Sequence, residues 1–149
     1  MCGIYPDGAT VNPSSGHRAP EGLPWRSMGA SDLERWVQGY VRAWLSNDPD
    51  DIGGLFTDDA TYRTAPHAEP WTGREAIVAG WLEHRDEPGA ATFTFEVVGL
   101  DGHRGFVQGA TTYRADDERA ERTYDNLWMI DLTDDGRASA YTEWFIRRG

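Results

Sequence analysis

Apolar and polar positions follow two rhythms along this chain, and the change between them divides the sequence. Trp36, Val37, Tyr40, Val41, Trp44 and Leu45 recur three and four residues apart, which places them on one side of a helix. Ser31 followed by Glu34 has the capping-box pattern, so the spacing predicts a helix from Ser31 to about Asn47. Asp48 and Pro49 open a short second helix with Ile52, Leu55 and Phe56 as its buried face, weakened by Gly53 and Gly54. Ala60 to Ala65 reads as a short strand ended by Pro66. A loop from His67 to Thr72 then leads to a third helix, Arg74 to about Arg85, with Ile77, Val78, Trp81 and Leu82 on one side.

Beyond Pro88 and Gly89 the period becomes two, in runs at roughly 91–100, 104–114, 123–133 and 138–147. Asp101-Gly102 and Asp135-Gly136 are hairpin turn signals, and the charged connection from Ala115 to Arg122 reads as a solvated hairpin tip with no function of its own. Helices followed by a meander of long strands predict an α+β fold, a curved sheet wrapped around helices packed on one face. Both strand faces are partly apolar: Tyr124, Trp128, Ile130 and Leu132 share one side, Leu127 and Met129 the other. The helices cover only one of these, so a homodimer through the sheet is expected.

Residues 1–28 hold Pro6, Pro13, Pro20 and Pro24 with glycines between them and no periodicity, which predicts a flexible tail ahead of one domain over 29–149. Met28, just before the first helix signal, is an expected alternative start. A chain of 149 residues, 39% of them hydrophobic, supports one core and not two. With 14 Lys plus Arg against 25 Asp plus Glu, the net charge of -11 argues against nucleic acid and anionic lipid as partners. Cys2 is the single cysteine, which excludes an internal disulfide or a thiolate zinc cluster. Without an apolar run of about 18 residues or a secretion signal, a cytoplasmic protein that does not enter membranes is expected. His17, His84 and His103 are scattered and form no HExxH or paired spacing, so no metal is expected, and no phosphate loop or nucleophile elbow appears. The seven Trp, six Tyr and five Phe are the one compositional extreme, suited equally to a core, a ligand cavity or a subunit contact.

The stretch from Val37-Gln38-Gly39-Tyr40-Val41 through Leu55-Phe56-Thr57-Asp58-Asp59-Ala60-Thr61-Tyr62 to Trp71-Thr72-Gly73-Arg74-Glu75-Ala76-Ile77 resembles the nuclear-transport-factor-2-like superfamily, and within it the SnoaL-like and ketosteroid-isomerase-like group. The resemblance spans about Ser31 to Arg147. It implies a cone-shaped roll, about three N-terminal helices against a strongly bent mixed sheet, with a cavity at the open end. It also implies a small hydrophobic organic molecule as partner, no cofactor, and a dimer across the sheet.

The resemblance sets Tyr40 where ketosteroid isomerases keep a hydrogen-bond donor to the enolate oxygen; an amphipathic core tyrosine is the other reading. Thr64 falls where those enzymes need their carboxylate, and a threonine is far too weak a base. His67, in the following loop, could supply the base if it faces the cavity, or be merely solvated. Limonene epoxide hydrolase, another relative, is matched by Tyr62 and Glu143, while its Arg-x-Asp pair falls on Thr111 and Tyr113. Glu143 shares a side with Tyr141 and Phe145 and becomes a perturbed carboxylate if that side faces inward, or an exposed strand residue if not. Asn126, with Tyr124 and Trp128, is the candidate polar anchor, replaced by Asp125 if the parity is inverted. Trp44, Phe56, Tyr62, Thr64, Trp81, Tyr113, Asn126 and Trp128 are the expected ligand-lining set, with Tyr40, His67 and Glu143 as catalytic candidates. The expected function is a cofactor-independent isomerase, cyclase or hydratase. A non-catalytic binding subunit and a structural dimer with a filled cone are the alternatives.

Overall fold

Residues 27–149 are described by the computed structural model; the expected tail lies outside the described residues except for Ser27 and Met28. Helix α1 (Ala30–Ser46) starts one residue ahead of the expected Ser31, because Asp32 and not Glu34 closes its first turn. The Asp32 carboxylate accepts the Gly29 N–H at 3.0 Å, satisfying one of the donors that a helix start leaves free. The helix ends where Asn47 turns left-handed (φ 51°) and returns its N–H to the Ala43 carbonyl at 2.8 Å. Asp48 caps α2 (Pro49–Gly53) by accepting the N–H groups of Asp50 and Asp51.

Strand β1 (Phe56–Arg63) begins four residues before the expected Ala60. Leu55 is the reason: its carbonyl takes the Trp36 indole N–H at 2.9 Å and the Ala138 N–H at 2.7 Å, so the backbone is claimed by the sheet instead of the helix. The loop expected from His67 to Thr72 contains a two-residue strand, β2 (Trp71–Thr72), antiparallel to β1. After α3 (Arg74–Glu83) come β3 (Ala91–Asp101), β4 (Arg104–Tyr113), β5 (Arg122–Leu132) and β6 (Ala138–Arg147), close to the expected runs. Gly102 and Gly136, at φ 61° and 82°, make the turns that lead out of β3 and into β6.

The six strands lie in the order β2-β1-β6-β5-β4-β3, with β1 and β6 parallel and every other pair antiparallel. This is the expected α+β arrangement: a curved mixed sheet with α1 packed on β3 and α3 on β1. Leu33, Val37, Ile52, Phe56, Ile77, Val107, Trp128, Ile130 and Tyr141 are fully enclosed between helices and sheet. Leu127, Trp144, Ile146 and Val98 are exposed, and Leu127 stands opposite Trp144 and Asp125 opposite Ile146 on adjacent strands.

Gly80, inside α3, touches the indole of Trp71. A Cβ built there would lie 2.6 Å from two of its ring atoms, and Trp71 is held between Tyr62 and His84. Gly80→Ala would gain about 0.8–1 kcal/mol of helix propensity. The overpacking costs about 1–3 kcal/mol, so the net effect is a loss. A lowered thermal midpoint for this variant is the expected result; a rise would mean that Trp71 swings away freely.

Candidate functional site

The same alternation that buries Trp128 and Ile130 carries Arg122, Tyr124 and Asn126 onto the helix-side face of β5. At that end of the sheet the helices and strands leave a cavity of about 440 Å³, within the range of about 300–1,000 Å³ usual for small-molecule sites. Helix α1 contributes Tyr40 and Trp44, and the end of α3 with the loop beyond it contributes Trp81, His84, Arg85 and Asp86. Tyr62, Thr64 and Trp71 come from the β1–β2 side. The long strands supply Thr111, Tyr113, Arg122, Tyr124, Asn126, Trp128, Glu143 and Phe145, and the β4–β5 hairpin supplies Arg119.

Aromatic rings build the floor. Tyr40 lies 4.6 Å from Trp128 and 4.7 Å from Trp81 between centroids, and Tyr141 stacks on both Tyr40 and Tyr62 at 5.6 and 4.4 Å. The Tyr40 and Tyr62 hydroxyls share one hydrogen bond of 2.7 Å. Enclosure, which disfavours the phenolate, holds the hydroxyls of Tyr40, Tyr62 and Tyr141 well above the usual value of 10, and the nearby Glu143 carboxylate adds to it. All three are therefore neutral donors across the physiological range.

Glu143 is the carboxylate set among these rings. Its Oε1 accepts from the Asn126 amide at 2.8 Å and the Trp128 indole at 3.3 Å, while Oε2 faces only the Tyr141 hydroxyl at 3.4 Å. Thr111 in turn donates to Asn126 Oδ1 at 2.8 Å, which fixes which end of the amide points at Glu143. Burial raises the Glu143 pKa above its usual 4.5, and the three donors oppose that rise without cancelling it. Oε2 keeps its basic lone pairs largely unspent, and the aromatic surroundings make it a better proton acceptor than an exposed carboxylate.

At the other end, Asp86 accepts from the Trp44 indole at 3.0 Å and the Tyr113 hydroxyl at 3.1 Å. Enclosure and this carboxylate raise the Tyr113 pKa. Among the described residues no three His, Cys, Asp or Glu side chains gather in a way that would hold a metal ion, and no helix is long and apolar enough to cross a membrane.

Of the residues expected from the sequence, Tyr40, Trp44, Tyr62, Thr64, Trp81, Tyr113, Asn126, Trp128 and Glu143 border the cavity. Phe56 does not: it is fully buried in the core beneath, edge-on to Trp36 and Tyr62. His67 is exposed in the loop after β1 and is absent from the cavity wall. Asp125 points outward and pairs with Arg148 at 2.6 Å, so the parity that puts Asn126 inside is the one realised. The charged connection expected to be a functionless tip sends Arg119 and Arg122 to the cavity. Arg122 could have been found from its even spacing with Tyr124, Asn126 and Trp128; nothing in the sequence marks Asp86.

The SnoaL-like domain family model matches residues 37–141. Among curated proteins nothing matches. Among solved structures, the epoxide hydrolase/cyclase-like enzyme SalBIII, with a role in pyran ring formation in the polyether salinomycin, aligns with a TM-score of 0.63 at 21% identity over 78% of this chain and 92% of its own. An NTF-2 like protein of unknown function from Burkholderia xenovorans LB400 gives 0.60 at 16% identity, over 80% and 86%. An LEH-like epoxide hydrolase of M. tuberculosis gives 0.58 at 16%, over 78% and 84%. At such identities the likeness is one of fold.

Proposed function

This chain belongs to the SnoaL-like family, and from that premise we propose that it is a cofactor-independent acid–base enzyme acting on a small, largely hydrophobic organic molecule. The observation that carries the reading is Glu143: a carboxylate with a raised pKa and one oxygen held only by a long 3.4 Å bond from Tyr141, beside a hydrogen-bonded tyrosine pair, in an aromatic cavity. In this reading Glu143 Oε2 takes a proton from a carbon next to a carbonyl, and the C–H electron pair moves onto the carbonyl oxygen. Within the Tyr40–Tyr62 pair one hydroxyl donates to the other, and the second keeps its proton free for that oxyanion. Return of the proton from Glu143 to a different carbon completes an isomerisation; loss of a leaving group or ring closure gives the lyase and cyclase variants of the same step.

The resemblance sets Thr111 and Tyr113 where an epoxide hydrolase would need its arginine and second acid, and Thr111 is already committed to Asn126. The reading therefore follows the proton-shuttle branch of the resemblance and not the epoxide-opening one. His67, away from the cavity, has no part in it.

The test starts from molecules co-purified with the protein, identified by mass spectrometry, and follows turnover of them and their close analogues. Wild type should convert one, while Glu143→Gln should bind it equally well and convert it very slowly. Equal turnover by both proteins would remove Glu143 from the chemistry, and binding without conversion by wild type would favour the non-catalytic alternative.

For the apolar outer face of the sheet, with Leu127, Trp144 and Ile146 exposed, we propose a second copy of the chain as its cover. Light scattering at micromolar concentration should give twice the 16.7 kDa chain mass, and Leu127→Asp with Ile146→Asp should reduce it to one; a wild-type monomer would refute the dimer.

A further inference from the structure

Arg122 lines the cavity in an unusual state for a guanidinium. Its Nη1 is shielded from solvent and has no hydrogen-bond partner, and its Cζ lies 4.7 Å above the Tyr113 ring. Among the described residues no carboxylate approaches it within ion-pair distance. Asp116, an acid that feels its charge, already spends Oδ1 on the N–H groups of Glu118 and Arg119 in the hairpin turn. A buried donor left without a partner costs about 1–3 kcal/mol, more when charged, and such a group commonly marks a place that something else occupies. Arg85 and Arg119 border the same cavity and, among the described residues, are likewise outside every ion pair. In a molecule of net charge -11, three arginines outside ion pairs against the carboxylates of Asp86 and Glu143 make this cavity lining locally basic.

We propose that Arg122 is the docking point for a carboxylate, and that the molecule taken up here is an amphipathic organic acid whose ring body reaches inward to Glu143. This rests on the reading of the cavity as a small-molecule site and adds the class of molecule to it. The guanidinium is planar and weakly hydrated, so a half-buried position over Tyr113 suits it, and its fork matches the two oxygens of a carboxylate. Arg122 and Asn126 share a face of β5 four residues apart, about 13 Å along the strand. An acid of two or three fused rings spans that distance. A monoanion is favoured over a phosphate dianion because Asp86 and Glu143 border the same cavity and would repel the second charge.

The test is calorimetric titration of the full chain with 1-naphthylacetate and with its uncharged amide of the same shape, 1-naphthylacetamide. The acid should bind at least about tenfold more tightly than the amide, the scale of one charge-assisted hydrogen bond. Arg122→Met should erase that preference by weakening the acid far more than the amide, and the amide binding that remains shows that the variant is folded; Arg122→Lys should restore part of the preference. Equal affinity of wild type for acid and amide, or a preference that survives Arg122→Met, would overturn the inference and leave the proton-shuttle reading intact. No binding of either probe at millimolar concentration would overturn both. Tighter binding of 1-naphthyl phosphate than of the acid would overturn the carboxylate in favour of a phosphate group.

Discussion

Above pH 10 the protein is expected to lose stability at about 4 kcal/mol per pH unit, a slope set by three protons at about 1.36 kcal/mol each. The protons are those of Tyr40, Tyr62 and Tyr141, all enclosed at the cavity floor and all with pKa values raised by burial. The sign follows from linkage: the unfolded chain releases these protons near pH 10 while the folded chain retains them, so rising pH favours the unfolded state. A net stability of about 5–15 kcal/mol would be exhausted within a few pH units. Denaturant titrations at successive pH values would measure the slope, and phenolate absorbance would show these rings ionising together with unfolding. Ionisation of all the tyrosines near pH 10 in a folded protein would contradict the enclosure of these three rings.

Glu143→Gln is expected to lower turnover by about 10²–10⁴-fold, the usual worth of a positioned acid or base. Stability should move the other way. The wild-type carboxylate has its folded pKa raised by burial, so the stability it confers is complete below its ordinary 4.5 and is lost as pH rises through the raised value. The amide of glutamine can still accept from Asn126 and Trp128 through its oxygen and never carries the charge. At neutral pH the variant should therefore be at least as stable as wild type, with the difference shrinking toward pH 4. A group that costs stability where the protein works and is needed for turnover is what the proton-shuttle reading requires. A variant that is both less stable and fully active would leave Glu143 a structural residue.

Much of the fold was legible because the two periods are strong. The helical spacing from Trp36 to Leu45 and the alternation beyond Pro88 each follow from burying one face, and the observed α1 and β3 to β6 lie close to both. The errors fall where a backbone group found a distant partner. Asp32 took the Gly29 N–H ahead of the expected capping box, and Ala138 together with the Trp36 indole took the Leu55 carbonyl, starting β1 early. Neither partnership has a local signature. Parity grouped Glu143 with Tyr141, and Asn126 with Trp128, but could not say which face was inside; the packing of α1 and α3 on the sheet decides that. Arg122 belongs with β5 and not with the polar run from Ala115, because it obeys the alternation of that strand. Phe56 was assigned to the cavity wall although it belongs to the layer below, a difference of depth that a one-dimensional pattern does not encode.

Strand β6 follows β3, β4 and β5 in the sequence yet lies between β5 and β1, paired in parallel with a strand that precedes them all. During synthesis the early helices and β1 must therefore wait, with an unpaired edge and open apolar surface, while the intervening hairpins emerge. Joining Phe56 to Ala138 across that span is expected to be the slow step of folding. Since the same strand delivers Glu143, nascent chains stalled before it would have neither a continuous sheet nor the proposed base.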